Sequence, residues 1–335
     1  MQLEFIDPMV KNYLMWLEIE KGCSPNTIKG YGHDLKSFIL YLHELKVVNE
    51  GTTIDWKNIT TFNLRAFLNH LYNDNNNKKS SIHRRVCSLK GFFKFLNENE
   101  LIPGNPAKVL SYPKRDKSLP KFLPTEEVST LLTNAKNKAA NKPMTALHSA
   151  VLEVLYSTGA RCNEIRNLNL DDIDITEREF IQENGEIVKE LRGQVMIRGG
   201  KGSKDRGVYL TNRAASVLRH YILIDRQETI AKAKARGKEI SSDTLKALFL
   251  SNRAQRVANR TIQHFTSKIS ELAGVRHTTP HMIRHSFASH LLMNQTNIRA
   301  IQKLLGHSSL DTTQIYANIS DEYLRNEFDG NLPIK

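Results

Sequence analysis

The sequence predicts a mostly α-helical protein with a small β-hairpin or sheet. An N-terminal helical domain precedes a C-terminal mixed α+β domain. Three observations carry this reading. Apolar residues recur at helical spacing through much of the first hundred residues and again from 211 to 317. Five prolines (Pro103, Pro106, Pro113, Pro120 and Pro124) separate two stretches, each long enough to bury a core. Only residues 195–210, around Gly199-Gly200-Lys201-Gly202, switch to alternation, a strand–turn–strand signal.

Residues 8–20 keep helical spacing, with Pro8 in the first turn. Ser24-Pro25 reads as an N-cap followed by proline at the first helical position. The helix behind it carries Ile28, Tyr31, Leu35, Phe38, Ile39 and Leu42 on one stripe. Residues 61–73 repeat the pattern with Leu64, Phe67, Leu68 and Leu71. Residues 80–98 do so with Val86, Leu89, Phe92, Phe93, Phe95 and Leu96. A polar turn, Asn73 to Asn77, lies between them. Residues 1–105 thus form a bundle of some four helices, and the last bears Arg84, Arg85, Lys90 and Lys94. Residues 106–124, with Lys114, Arg115, Lys117 and Lys121 among the prolines, read as an extended basic linker. Thr125-Glu126-Glu127 opens a capped helix. The helical pattern runs to about 158, breaks at Gly159 and resumes over Asn163–Leu170. The second domain spans 125–320 and leaves a tail, 321–335.

Composition narrows the function. Apolar residues are 40 % and charged residues 25 %, which excludes wholesale disorder. A net charge of +13 on 335 residues points to a polyanionic partner, nucleic acid before acidic membrane. The charge is blocked. Residues 1–80 are neutral, 81–115 carry +5, 251–310 carry +7, and 317–335 carry −2. Two basic blocks far apart suit two surfaces on either side of a duplex. Three cysteines exclude a disulfide scaffold and fit a reducing cytosol. No apolar run approaches the ~18 residues of a membrane span. Met1-Gln2-Leu3-Glu4 lacks the basic start of a signal peptide, so a cytoplasmic location is expected.

Four segments carry candidate chemistry. In Ser157–Ile165, Arg161 follows a glycine break at a helix N-terminus, where an anion is favoured, and Glu164 lies one turn on. In Gly200-Lys201-Gly202-Ser203-Lys204-Asp205-Arg206, flanking glycines project one ammonium from a tight turn. No Walker-type phosphate loop exists in the chain. In Pro280–His290, His281, Arg284 and His285 share a helical face. His281 and His285 mimic a zinc pair, but Met282 stands where a zinc protease needs glutamate, so no metal is expected. In Leu304–Ala317, His307 follows a helix-ending glycine and Tyr316 lies nine residues on. Asp171, Asp172 and Asp174 read as solvated turn acids rather than a cation site. Together, two arginines, a lysine, two histidines and a tyrosine suit metal-free phosphoryl transfer. The guanidiniums match charge that develops on the transferring phosphate. A phenol of pKa about 10 becomes a nucleophile only beside a base or a positive field.

These segments closely resemble the tyrosine recombinase (phage integrase-like) family, and within it the Xer-type site-specific recombinases. The resemblance covers nearly the whole chain and is strongest over Pro280–Leu292 and Leu304–Ser320. It implies a helical core-binding domain and a catalytic domain that clamp duplex DNA. By that resemblance Tyr316 is the nucleophile that forms a 3′-phosphotyrosine and frees a 5′-hydroxyl. Arg161 and Arg284 clamp the phosphate, and Lys201 protonates the leaving 5′-oxygen. His281 exchanges a proton with the tyrosine, and His307 hydrogen-bonds the phosphate. Glu164 falls at a supporting position. Religation then needs neither ATP nor any cofactor. Arg84, Arg85, Lys90, Lys204 and Arg206 are the expected DNA contacts. The family also implies a homotetramer on two DNA sites, the acidic tail docking on a neighbouring protomer. A DNA translocase or other regulator is a further expected partner.

Some features depart from the family pattern. Residues 176–194 are rich in glutamate, and 225–245 form a charged insertion. Asn318 stands where relatives often carry histidine. Three alternatives accompany the Xer reading: an integrase of a phage or other mobile element, a type IB topoisomerase, and a catalytically silent DNA-binding protein.

Overall fold

The computed structural model describes residues 7–45, 54–73, 79–113, 122–137, 145–181, 187–199 and 205–306. The chain divides into two units, one ending at Ser118 and the other beginning at Leu119.

Among the described residues the first unit holds four α-helices: α1 (Pro8–Ile19), α2 (Pro25–Glu44), α3 (Thr61–Asn73) and α4 (Lys79–Glu98). Local chemistry starts the first two. Asp7 accepts from the Met9 and Val10 amides at 2.8 and 3.4 Å, with Pro8 behind it. Ser24 accepts from the Thr27 amide at 3.2 Å ahead of Pro25. The same Asp7 carboxylate accepts from the Trp56 indole at 3.0 Å, which ties a distant loop to the start of α1. Leu35, Phe38, Leu64, Phe67, Phe92, Phe93 and Leu96 fill the core. α1 and α4 approach so closely that a Cβ on Gly91 would stand 2.3 Å from the Tyr13 hydroxyl.

Ala107 and Leu110 are buried in this first core, and Leu123 is buried in the second. The stretch read as a linker, 106–124, is therefore anchored at both ends. Its prolines marked the connection, but its few apolar residues are what the two cores take up.

The second unit is built around α6 (Thr145–Thr158), which packs against α5 (Thr125–Asn137). After Gly159 come the short α7 (Cys162–Asn167) and the strands β1 (Ile173–Ile181), β2 (Ile187–Ile197) and β3 (Arg206–Leu210). The strands form an antiparallel sheet in the order β1-β2-β3. Then follow α8 (Asn212–His220), a π-helical turn (Tyr221–Asp225), α9 (Arg226–Ala235), α10 (Ser242–Lys246) and α11 (Asn259–Leu272). The last described helices are α12 (Pro280–Met293) and α13 (Ile298–Leu305). α6 also packs against α8, α12 and β3.

Three sequence readings change here. The alternation over 195–210 reports β3 and the end of β2, but β1 and the start of β2 gave no signal. Residues 176–179 of β1 are exposed, and Glu177 and Glu179 pair with Lys189 of β2 at 3.6 and 2.8 Å. Only Ile173 and Ile175 at the start of β1 pack on the core, too short a run to show a period, and the exposed part beyond them has no apolar period to read. The resumed helix ends at Asn167, not at residue 170. Asp172 is not a solvated turn acid: it is 4 % exposed and binds Arg198 at 2.9 Å and the Asn169 amide at 2.9 Å.

One core group makes the unit acid-sensitive. His148 of α6 stacks on Phe265 of α11 with ring centroids 4.3 Å apart, and burial pulls its pKa down to about 4. The folded state thus holds it neutral, while the unfolded chain protonates it near pH 6.5. Its contribution is complete above that pH and is lost as pH falls towards 4. Chemical denaturation at pH 7 and pH 5 checks this. Between the two, the wild type is expected to lose about 2 kcal/mol more than a His148→Phe variant.

Candidate active site

Gly159 ends α6 in the left-handed region, at φ +59°, and a Cβ there would lie 2.4 Å from Phe287. This forced turn sets Arg161 at the start of α7. The Arg161 amide donates to Glu164 Oε2 at 2.7 Å, and its guanidinium donates to Oε1 at 3.1 Å. The side chain remains 46 % exposed, so it can also meet a ligand. From the opposite wall comes α12. Thr279 caps it by accepting from the Met282 amide at 3.3 Å, and Pro280 occupies its first position. One turn in, Arg284 is 3 % exposed and donates to Gly159 O at 2.6 Å and Leu305 O at 2.9 Å. It also lies 3.9 Å from Glu164. His281 is the exposed residue of the first turn of α12, edge-on to His285 with centroids 4.6 Å apart. Arg161, His281 and Arg284 line one cleft of about 610 Å³.

Electrostatics distinguish these groups. Burial alone would raise Glu164. Hydrogen bonds from Arg206 and the Arg161 amide, with the charges of both arginines, outweigh it and hold the carboxyl below its ordinary range. Partial burial, then the charges of Arg284 and Arg161, push His281 below the usual imidazole value. Burial, His281 and Arg284 take His285 down to about 4. The cleft therefore offers guanidiniums to an anion and, at neutral pH, an imidazole able to accept a proton.

Each described residue of the expected DNA-contact set has a protein partner. Arg206 is 8 % exposed, and its guanidinium is bonded to Glu164 and to Leu304 O at 2.8–3.2 Å. A guanidinium held in this way spends its donors on the protein. A basic residue in an alternating stretch looks the same whether it faces solvent or a buried carboxylate. In the first unit, Arg84 and Arg85 answer the buried Asp34 of α2, at 2.5 and 3.7 Å. Arg84 stays nearly half exposed, but the Arg85 side chain is only 18 % exposed. Lys90 lies over the Tyr112 ring at 4.8 Å and donates to Lys108 O at 3.3 Å. Lys201, Lys204, His307 and Tyr316 lie outside the described residues. The stem of the lysine hairpin is described, and the Gly199 amide donates to Asp205 at 2.8 Å across it.

The residue reading did not single out Arg260 and His264 of α11, or His277, all of which line the same cleft. The signal was available. Arg260 and His264 are four apart on α11, opposite the buried Ile262, Phe265 and Ile269. Among the described residues no group of three or more His, Cys, Asp and Glu could hold a metal ion. No helix among them is long and apolar enough to cross a membrane.

The phage integrase family model matches residues 121–323, and the N-terminal SAM-like domain model of phage integrases matches 10–100. The chain is 34 % identical to the tyrosine recombinase XerC of Oceanobacillus iheyensis over 98 % of its own length and 95 % of that protein. It is 35 % identical to XerC of Myxococcus xanthus over 98 % of each chain. The crystal structure of XerH site-specific recombinase bound to palindromic difH substrate shares the fold. Its TM-score is 0.68 at 21 % identity, covering 96 % of this chain and 84 % of that one. The chain belongs to the phage integrase family and, within it, to the Xer-type tyrosine recombinases, enzymes of site-specific DNA recombination.

Proposed function

We propose that this recombinase cuts and rejoins duplex DNA through a 3′-phosphotyrosine, in the resolution of chromosome dimers. The observation that carries this is the meeting of Arg161, Arg284 and a neutral His281 on one cleft. The Tyr316 hydroxyl attacks the scissile phosphorus and gives its proton to His281. Arg161 and Arg284 stabilise the non-bridging oxygens, and His307 hydrogen-bonds one of them. The bond from phosphorus to the 5′-oxygen breaks, and Lys201 supplies that oxygen with a proton. Reversal by the 5′-hydroxyl of another strand reseals the DNA, the bond energy having been kept in the tyrosyl ester. Four protomers act on two duplex sites. The XerC relatives support the chromosomal role, and integration of a mobile element is not favoured.

A duplex nicked next to its cleavage position loses the short 5′ fragment and traps the adduct. Wild type is expected to accumulate a covalent protein–DNA species on such a duplex, and Tyr316→Phe none. An adduct that survives in Tyr316→Phe removes the assignment.

A further inference from the structure

Three elements of the second unit, β3, α7 and α13, meet at the buried Arg206 side chain. Arg206 opens β3, and its Nε donates to Leu304 O of α13 at 2.8 Å. Its Nη1 and Nη2 donate to the Glu164 carboxylate of α7 at 3.2 and 2.8 Å. That carboxylate also holds Arg161. Arg284 of α12 donates to the next carbonyl, Leu305 O. The end of α13 is thus divided between two guanidiniums. The Gly306 amide takes the carbonyls of Gln302 and Lys303, while those of Leu304 and Leu305 go to Arg206 and Arg284. Gly306 then turns at φ +64°, and a Cβ there would stand 2.9 Å from Arg206 Nη1 and 3.1 Å from its Cδ. Only glycine both adopts this turn and leaves room for the guanidinium against it. The next residue in the chain is His307.

We propose that Arg206 is a positioning residue for strand cleavage, acting through Glu164 and the end of α13 rather than on DNA. The proposal rests on the roles given above to Arg161, Arg284 and Tyr316. Arg206 fixes the carboxylate that orients Arg161. It also fixes the α13 carbonyl beside the one that orients Arg284, at the point where the chain leaves for His307 and Tyr316. A lysine keeps the charge but cannot serve Leu304 O and both carboxylate oxygens in one plane.

The test compares wild type, Arg206→Lys, Glu164→Gln and the double variant. Affinity for the nicked duplex is titrated at several salt concentrations, and single-turnover cleavage is followed at saturating protein. Arg206→Lys is expected to bind within about twofold of wild type with the same salt dependence, yet to cleave on the order of 10²-fold more slowly. The double variant is expected to be no slower than the slower single one, because both changes dismantle one unit. Three results overturn the proposal: wild-type cleavage by Arg206→Lys, a defect confined to affinity with a shallower salt slope, or additive losses in the double variant. Glu164→Gln preserves side-chain volume and, if Arg206→Lys does not fold, must show the same split between affinity and cleavage. Failure of wild type to form any adduct overturns the recombination reading itself, a separate outcome from these.

Discussion

Arg284→Ala is expected to slow strand cleavage by about 10²–10³-fold in single turnover, the typical loss when one preorganised donor to a developing oxyanion is removed. The geometry argues for an effect at the upper end. Arg284 is 3 % exposed and bonded to Gly159 O and Leu305 O, so its guanidinium meets the cleft in one fixed orientation. Because no side-chain motion is needed, little of its interaction with the phosphate is spent on ordering. The substitution also leaves two buried carbonyls without these donors, at about 1–3 kcal/mol each. Chemical denaturation is therefore expected to show a stability loss beside the kinetic one. Arg284→Lys separates them: it restores charge but not the two-carbonyl fork, and its cleavage is expected to stay close to that of the alanine variant. Near-wild-type cleavage by Arg284→Ala in a folded protein contradicts the assignment.

Lys201→Ala is expected to slow cleavage by about 10²–10⁴-fold on an ordinary 5′-oxygen leaving group, the range for loss of a general acid. A 5′-thiol leaves without needing a proton, so a 5′-thio substrate is expected to restore the rate. Equal defects on both substrates contradict the general-acid role. The stem of that hairpin is formed by other residues. β2 and β3 pair from Gly193 with Leu210 to Ile197 with Arg206, and Gly199 is bonded to Asp205.

How much of this was legible in the sequence depended on how local the physics was. Pro8 takes the first position of α1, Ser24 ahead of Pro25 starts α2 with a bond to the amide three residues on, and the spacing of Leu64, Phe67 and Leu71 marks α3 over residues 61–73. Arg161 with Glu164 was legible for the same reason, being a contact across three residues. The roles expected of His281 and Arg284 come from the family resemblance, and periodicity alone does not assign them. β1 was not legible, because only Ile173 and Ile175 reach the core and the charged residues after them pair across strands.

The sequence by itself determined the two-unit helical plan, the basic character and the recombinase motifs, because composition, short-range caps and ordered motifs are one-dimensional properties. The tertiary structure alone decided which partners the arginines meet. Arg206 and Arg284 are alike as residues in basic segments. Folding buries Arg206 between Glu164 and Leu304 O, and brings Arg284, anchored on two carbonyls, to the cleft wall. A guanidinium acquires a role only from the partners around it, and these partners lie 21 to 125 residues away along the chain.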